Sequence, residues 1–174
     1  MSSPTRRIAL ITTGGTIEKT YDEAEGHLRN EANILDVMLN KLELPAMEIE
    51  RISLMNKDSL EMTAEDHKQI VSAVESAMGN SDAVLVVHGT DRLVETGEHL
   101  HAAFKELSCP VILTGAMRPY ELRRTDAMQN LTEALLASHL LDPGIWCVMH
   151  NRALRFPGIR KDRQRMTFVE EFAD

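Results

Sequence analysis

The amino-acid sequence predicts a single α/β domain with a mostly parallel, doubly wound sheet and helices on both faces. The first observation is length, because 174 residues can build one hydrophobic core but are few for two. The second is composition, since 43% hydrophobic and 26% charged residues are typical of a globular chain. The third is order: short apolar runs alternate with longer segments of helical period, as in parallel strands joined by crossover helices. We expect one domain over residues 1–174.

The predicted strands are the apolar runs at 6–12, 48–54, 83–88, 111–114 and 145–149, with a weaker run at 166–169. Most of these runs lack polar alternation, which indicates burial on both faces, as in a parallel sheet of the flavodoxin or Rossmann type. Helical spacing recurs near 34–42, 63–78, 93–107 and 126–141. The second helix is expected to begin after Thr63, where Asp66 takes the place of the usual glutamate in a capping box.

Charge, cysteine content and hydropathy argue against several classes of protein. A net charge of −8 disfavours nucleic-acid binding, and no apolar stretch is long enough to span a bilayer. Cys109 and Cys147 lie at the edges of apolar runs and form no metal or disulfide pattern. His99 and His101 fall on different sides of a helix, which disfavours a shared metal. We expect a cytoplasmic protein with no cofactor, metal, nucleic-acid partner or membrane partner.

The ends of the predicted strands carry glycines and hydroxyls. The first, third and fourth strands are followed by TTGGT (12–16), HGTD (88–91) and GAMRP (115–119). In a doubly wound sheet, ligands bind beyond the carboxyl ends of the strands, and glycine lets the backbone approach a ligand closely. The polar, aperiodic segment 18–30 follows the first turn directly. A loop of that length in a small domain is more often functional than idle, so we predict a site at this edge.

The first turn does not match a phosphate-binding loop. It contains neither G-x-G-x-x-G nor G-x-x-x-x-G-K-[ST], and no lysine follows its glycines at the required spacing. Spacing alone leaves two roles open for Thr16, the cap of a turn or a nucleophile that attacks a carbonyl group.

The three turns together resemble the signatures of bacterial-type L-asparaginases, in the same order and on the same strand ends. The resemblance covers essentially the whole chain as the N-terminal domain of that family. It implies hydrolysis of the side-chain amide of L-asparagine to L-aspartate and ammonia, with some glutaminase activity, through a threonine nucleophile and an acyl-enzyme. The implied substrate is a small molecule, and no cofactor is implied.

Five residues are implied to be catalytic. Thr16 corresponds to the nucleophile, and Tyr21 to a tyrosine on a mobile loop that orients and activates it, although a surface tyrosine without a role is an alternative. Thr90, Asp91 and Lys161 correspond to a threonine, aspartate and lysine group, and the lysine lies in a looser motif, GIRKDRQ. We interpret this group as a network that positions or helps to activate the attacking water or threonine.

Five further residues are implied to contact the substrate: Gly15, Ser59, Glu61, Gly89 and Ala116. Ser59 and Glu61 correspond to a Ser-x-Asp that holds the α-carboxylate and α-amino groups, with glutamate here in place of aspartate. The glycine-rich turns are expected to supply N–H donors for the oxyanion, and a contact to the reacting amide is implied near Ala116. His88 is interpreted as a hydrogen-bonded residue at a strand end, in preference to a base.

The chain departs from the family pattern after the lysine motif. Family members usually continue into a smaller C-terminal domain, which supplies an acidic residue to the substrate of a neighbouring subunit. We expect this domain to be absent, substrate affinity to be weaker as a result, and the basic run 152–165 to contribute to a rebuilt homo-oligomer.

Two alternatives to an asparaginase remain open from the sequence. One is a noncatalytic amino-acid-binding module, and the other is the amidase subunit of a larger amidotransferase, against which the lack of a basic, tRNA-like surface argues mildly. The preference for asparagine over glutamine is also open, because one methylene in a pocket discriminates by only about 1–3 kcal/mol.

Overall fold

The computed structural model describes residues 4–30 and 33–171 of the chain. Its strands are β1 (Arg6–Gly14), β2 (Lys19–Asp22), β3 (His27–Asn30), β4 (Met47–Lys57), β5 (Ala83–Val87), β6 (Pro110–Thr114), β7 (Gly144–Met149), β8 (Arg152–Arg155), β9 (Ile159–Asp162) and β10 (Thr167–Glu170). Its helices are α1 (Ile34–Leu39), α2 (Ala64–Met78), α3 (Leu93–Ala103) and α4 (Ala127–Leu140), with short 3₁₀ turns at Thr16–Glu18 and Ser59–Glu61. None of these helices is long and apolar enough to cross a bilayer.

The central sheet has six strands in the order β4-β1-β5-β6-β7-β8. All neighbours are parallel except β7 and β8, which are antiparallel. The first five predicted strands are the five parallel strands, and four of them are mostly buried, whereas β4 contains no buried residue. The weaker sixth prediction corresponds to β10, which pairs with β9 in a separate antiparallel ribbon. Strands β8 and β9 carry arginine and lysine, so their sequences do not have the apolar character that predicted the others.

Helices cover both faces of the sheet, as predicted for a doubly wound fold. Ala9 and Ile11 of β1 face a core cluster that includes α2 and α3. Ile8 and Leu10 face a second cluster, which includes α1 and α4. Because successive strand residues point to opposite faces, β1 contributes to both cores, and all four of these side chains are buried.

The segment 18–30, predicted as an irregular loop, is largely a β-hairpin. Strands β2 and β3 pair antiparallel, with Tyr21 opposite Leu28. The Asp22 carboxylate accepts hydrogen bonds from the backbone N–H groups of Ala24 and Glu25, and Gly26 follows with φ +70°. This turn chemistry closes the hairpin, and the polarity of the segment concealed it.

The capping box at the start of α2 is confirmed. The Thr63 hydroxyl accepts from the Asp66 N–H, and the Asp66 carboxylate accepts from the Thr63 N–H at 2.8 Å. Lys57, the last residue of β4, also donates to Asp66 at 2.7 Å. This lysine, followed by the Thr63 N–H, lowers the pKa of Asp66 to about 2. The cap therefore ties the end of a central strand to the helix that follows it.

Candidate active site

Four strand ends are packed against one another with no room for side chains at their glycines. A Cβ placed on Gly15 would lie 2.6 Å from the Cα of Gly89, and one on Gly89 would lie 2.6 Å from Ser59 Oγ. A Cβ on Gly115 would lie 2.2 Å from the His88 carbonyl oxygen. The ends of β1, β4, β5 and β6 therefore meet at one corner of the carboxyl edge of the sheet, where ligands bind in doubly wound folds.

Thr16 is the first residue of the 3₁₀ turn that leaves β1, and it is partly exposed. The N-cap position of this turn is Gly15, at φ 90°, so the Thr16 hydroxyl is not the cap of the turn. The Gly15 N–H donates to the Lys57 carbonyl at 3.1 Å. Gly15 therefore allows its turn to pack closely against Gly89. Its N–H is already hydrogen-bonded to the Lys57 carbonyl.

Glu18 is a buried acid that the sequence analysis did not single out. Its side chain is 2% exposed, two residues beyond Thr16. Burial raises its pKa to about 7, which the nearby Arg51 and the Gly14 backbone only partly offset. A buried carboxyl group with a pKa of about 7 therefore ends the 3₁₀ turn that begins at Thr16. Its only signal in the sequence is a charged residue directly after the apolar Ile17.

The second group of predicted residues is brought together. Lys161 Nζ donates to Thr90 Oγ1 at 2.8 Å and to Asp91 Oδ1 at 2.9 Å. The lysine side chain is 14% exposed, and it reaches Thr90 and Asp91 from β9, some 70 residues later in the chain. Arg163 lies 3.6 Å from the same carboxylate. The lysine assigned from the looser motif thus forms one cluster with the residues of the HGTD turn.

Ser59 lies in this corner, whereas Glu61 lies at its margin. Ser59 is 1% exposed, packs against Gly89 and accepts a hydrogen bond from the Arg92 N–H at 3.4 Å. Glu61 ends the same short 3₁₀ turn with an exposed side chain. The turn is capped by the Asp58 carboxylate, which accepts from the Leu60 N–H at 3.1 Å.

Tyr21 lies on the hairpin and is 55% exposed. Its hydroxyl is 4.0 Å from the Cβ position of Gly26, over the tip of the hairpin. Across residues 4–30 and 33–171, no hydrogen bond joins this hydroxyl to Thr16. The hairpin is held instead by Glu121, which accepts from the Tyr21 N–H at 2.8 Å and from the Thr20 hydroxyl, and by Lys19, which donates to Asp58 at 2.8 Å.

Asp126 holds the turn that contains Ala116. The carboxylate accepts from the N–H groups of Met117 at 3.0 Å and Arg118 at 2.9 Å, so these two donors are engaged. Ala116 itself is fully buried. Although Asp126 directly precedes α4, its side chain makes no cap to that helix. The sequence predicts that a helix starts here, and α4 does begin at Ala127. The Asp126 side chain, however, binds the N–H groups of the preceding turn.

His150 and Asn130 complete this network. Asp126 pairs with His150 Nε2 at 2.7 Å and accepts from Asn130 Nδ2 at 2.8 Å, while Asn130 also donates to the Gly115 carbonyl at 2.9 Å. Burial raises the pKa of Asp126, but the hydrogen bonds from His150, Met117 and the other donors outweigh it and lower the pKa to about 2. These contacts span up to 24 residues, so local spacing gave no signal for them.

His88 is hydrogen-bonded at both ring nitrogens, in agreement with the prediction. Nδ1 lies 2.7 Å from the Gly89 carbonyl oxygen, and Nε2 lies 2.8 Å from the Thr96 hydroxyl. Burial lowers the pKa of His88 to about 4, although the Gly89 hydrogen bond opposes this shift. The ring is therefore neutral near pH 7 and supports the HGTD turn.

Cavity volume alone would misplace the site. A cavity of about 680 Å³ lies at the amino-terminal ends of the strands and is lined by residues that include Arg6, Ala46 and Asp82. It contains none of the predicted site residues. The hydroxyls, lysine and carboxylate that can do chemistry are grouped at the opposite edge of the sheet.

Comparison with known families identifies the family to which this chain belongs. The family model described as "Asparaginase, N-terminal" matches residues 7–170. The chain belongs to the asparaginase family. This asparaginase-family chain is 30% identical over 135 residues to L-asparaginase 1 of Escherichia coli K12, covering 75% of the chain and 39% of that protein. It is 34% identical over 136 residues to a glutamyl-tRNA(Gln) amidotransferase subunit of Aeropyrum pernix, covering 76% of the chain and 32% of that protein.

A solved structure confirms the fold of this family member. The thermostable L-asparaginase of Thermococcus kodakarensis superposes with a TM-score of 0.85 at 27% identity, covering 94% of this chain and 51% of that one. The chain therefore spans about a third to a half of the length of the relatives it matches.

Proposed function

We propose that this chain is an amidohydrolase that converts L-asparagine to L-aspartate and ammonia. The observation that carries the proposal is the cluster of Lys161, Thr90 and Asp91 beside the tightly packed Gly15 and Gly89 turns, from which Thr16 emerges. A hydroxyl nucleophile and a lysine that can position or activate it are groups that acyl transfer requires. Family membership supports the same reaction.

In the proposed reaction, Thr16 loses its hydroxyl proton and Oγ attacks the side-chain amide carbon. The C–N bond then breaks, and the nitrogen takes up a proton and leaves as ammonia, so the acyl group remains on Thr16 as an ester. Water attacks this ester, which releases L-aspartate and restores the hydroxyl. Lys161, held between Thr90 and Asp91, positions or helps to activate the threonine or the water.

Substrate recognition is assigned to groups around the same corner. Ser59 is proposed to bind the α-carboxylate of the substrate. Asp91 is proposed to bind the α-ammonium group, with Glu61 as a second partner of that group. A contact to the reacting amide is proposed near Ala116. Gly15 and Gly89 are proposed to let the backbone approach the substrate closely. Tyr21 is proposed to reach Thr16 only after the hairpin has moved, because its hydroxyl now lies over the hairpin tip. Weak glutaminase activity is part of this proposal.

The test is ammonia release from L-asparagine and L-glutamine with three forms of the protein. Thr16→Val, which keeps the shape but removes the hydroxyl, should abolish hydrolysis, while Thr16→Ser should retain measurable activity because it retains the nucleophile. Equal activity in Thr16→Val and the unmodified protein would rule out the proposed nucleophile. Binding of L-asparagine by calorimetry without any ammonia release would favour a noncatalytic binding module.

A second function is an amidase subunit of a larger amidotransferase. The observation in its favour is the 34% identity to the Aeropyrum pernix amidotransferase subunit, which is of the same order as the identity to the Escherichia coli asparaginase. This function predicts that L-glutamine is preferred over L-asparagine as the ammonia donor. The same assay on both amides therefore separates the two proposals.

The proposal also places the protein in the cytoplasm as a homo-oligomer, without a metal or organic cofactor in the reaction. The basic run 152–165, in which Arg152, Arg155 and Arg160 are exposed, is the proposed contact surface. Light scattering on the purified chain would give its mass in solution, and a monomer would remove this part of the proposal.

A further inference from the structure

Three side chains that can bind a metal converge on the face of the molecule formed by α2 and α3. His67 lies on α2, while Glu95 and His99 lie four residues apart on α3. One ligand atom from each of the three lies within 4.8 Å of the other two. The rings of His67 and His99 are stacked, with centroids 4.9 Å apart. This group lies outside the proposed active site.

The hydrogen bonds around His67 fix which of its nitrogens carries a proton. The Gly89 carbonyl can only accept, so His88 Nδ1 donates to it and the neutral ring presents a lone pair at Nε2. The Thr96 hydroxyl therefore donates to His88 Nε2, and its oxygen accepts from His67 Nδ1 at 2.9 Å. The neutral His67 ring is then left with a lone pair at Nε2.

That lone pair is buried and has no hydrogen-bond partner among the described residues. His67 is 1% exposed, and its Nε2 atom lies 3.4 Å from Glu95 Oε1. A lone pair facing a carboxylate oxygen is unfavourable unless a cation lies between them. Arg92 is the cation closest to Glu95 among those the structure describes, and its guanidinium is 3.8 Å from the other oxygen, Oε2.

We propose that His67, Glu95 and His99 form a binding site for a divalent transition metal, with zinc as the first choice. Two imidazoles and one carboxylate are a common ligand set for zinc, and they leave a coordination position for water. The Thr96 hydroxyl fixes the His67 ring from behind, as the outer partner of a metal-bound histidine normally does.

The site has an entry path and room for the ligands to adjust. His67 and His99 line a groove of about 450 Å³ between the two helices, and the side chains of Glu95 and His99 are exposed. These two side chains can therefore rotate toward His67 Nε2 to reach bonding distance. Metal bound there is connected through Thr96 and His88 to the Gly89 turn, so it stabilises the support of that turn.

The test is zinc titration by calorimetry on the full chain, with cobalt absorption as a second readout. The unmodified protein should bind one zinc ion per chain, and His99→Ala and Glu95→Gln should each weaken binding at least tenfold. Both changes affect exposed side chains, so circular dichroism should show an unchanged fold. His101→Ala is the matched control, because this exposed histidine lies on the same helix outside the cluster.

Cobalt should give the visible bands of a low-coordinate nitrogen site, and these should disappear in His99→Ala but persist in His101→Ala. The proposal is overturned if the unmodified protein binds no zinc at micromolar concentration, or if His101→Ala weakens binding as much as His99→Ala does. Neither outcome bears on amide hydrolysis, which the Thr16 variants test separately.

Discussion

The glycine turns and the hairpin contribute to the same corner of the molecule but are held in opposite ways. Gly15, Gly89 and Gly115 lie in backbone contact, supported by buried residues such as His88. The hairpin that carries Tyr21 is held through side chains: Glu121 accepts from the Tyr21 N–H and the Thr20 hydroxyl, and Lys19 donates to Asp58 at 2.8 Å. The proposed nucleophile thus lies on closely packed backbone, whereas the proposed lid is attached through side-chain contacts.

The largest expected effect comes from adding a methyl group to the packed turn. Gly15→Ala places a Cβ 2.6 Å from Gly89 at a φ of +90°, so strain and overpacking should together cost about 3 kcal/mol of unfolding free energy. Gly26→Ala is the matched control at φ +70° in the hairpin, where the nearest atom is 4.0 Å away, and it should cost about 1 kcal/mol. Urea denaturation measures both, and equal losses would contradict the difference in packing between the two regions.

The pH dependence of stability should reveal Glu18, the buried last residue of the 3₁₀ turn that begins at Thr16. Its pKa is raised to about 7 in the folded protein from an ordinary value of 4.5, so the folded state binds more protons. Its contribution is therefore full at low pH and is lost as pH rises from about 4.5 to above 7. The loss is on the order of 3 kcal/mol. In Glu18→Gln this part of the profile should be flat, and an unchanged slope in the variant would exclude Glu18 as its source.

Asp126 should give the opposite pH dependence. Its pKa is lowered to about 2 from 3.8, so its contribution is present above pH 3.8 and is lost as pH falls to about 2. The contribution is about 2 kcal/mol. Asp126→Asn should reduce stability at pH 7 and remove this acid-dependent loss, which denaturation at several pH values would measure. A variant as stable as the original at pH 7 would show that the turn does not depend on this carboxylate.

The smallest effect on stability is expected at the hairpin. Glu121 is exposed, and it accepts from the Tyr21 N–H at 2.8 Å. Glu121→Gln should leave Tm within error of the unmodified protein while speeding hydrogen exchange at the Tyr21 amide, because only the hairpin loses a charged acceptor. Exchange measured by NMR would test this, with Glu75→Gln as an exposed acidic control on α2. Unchanged exchange at Tyr21 would mean that other contacts hold the lid.

The parallel sheet could be predicted because four of its five parallel strands are almost continuously apolar and its turns carry glycine. The motif turns also placed Thr16, Thr90 and Asp91 at one edge. By contrast, β8 and β9 are short and carry charged residues, so they show no run of apolar residues. The hairpin is closed by the Asp22 side chain, a contact that the spacing of apolar residues does not reveal.

The polar networks could not be predicted for a different reason. Asp126 meets His150 across 24 residues, and His67 meets Thr96 across 29, so only the folded chain brings these groups together. His99 and His101 lie on different sides of one helix, and the ring beside His99 is that of His67 on a second helix. The spacing of Glu95 and His99, four residues apart, was the local signal available for that cluster.

The most direct test of the proposed nucleophile is to trap the acyl-enzyme. The protein is mixed with L-asparagine, quenched rapidly with acid and digested with trypsin, and its peptides are analysed by mass spectrometry. We expect an aspartyl ester on the peptide of residues 8–19, with fragmentation assigning it to Thr16. An ester on the peptide that contains Thr90, or unchanged hydrolysis by Thr16→Val, would contradict the assignment of Thr16 as the nucleophile.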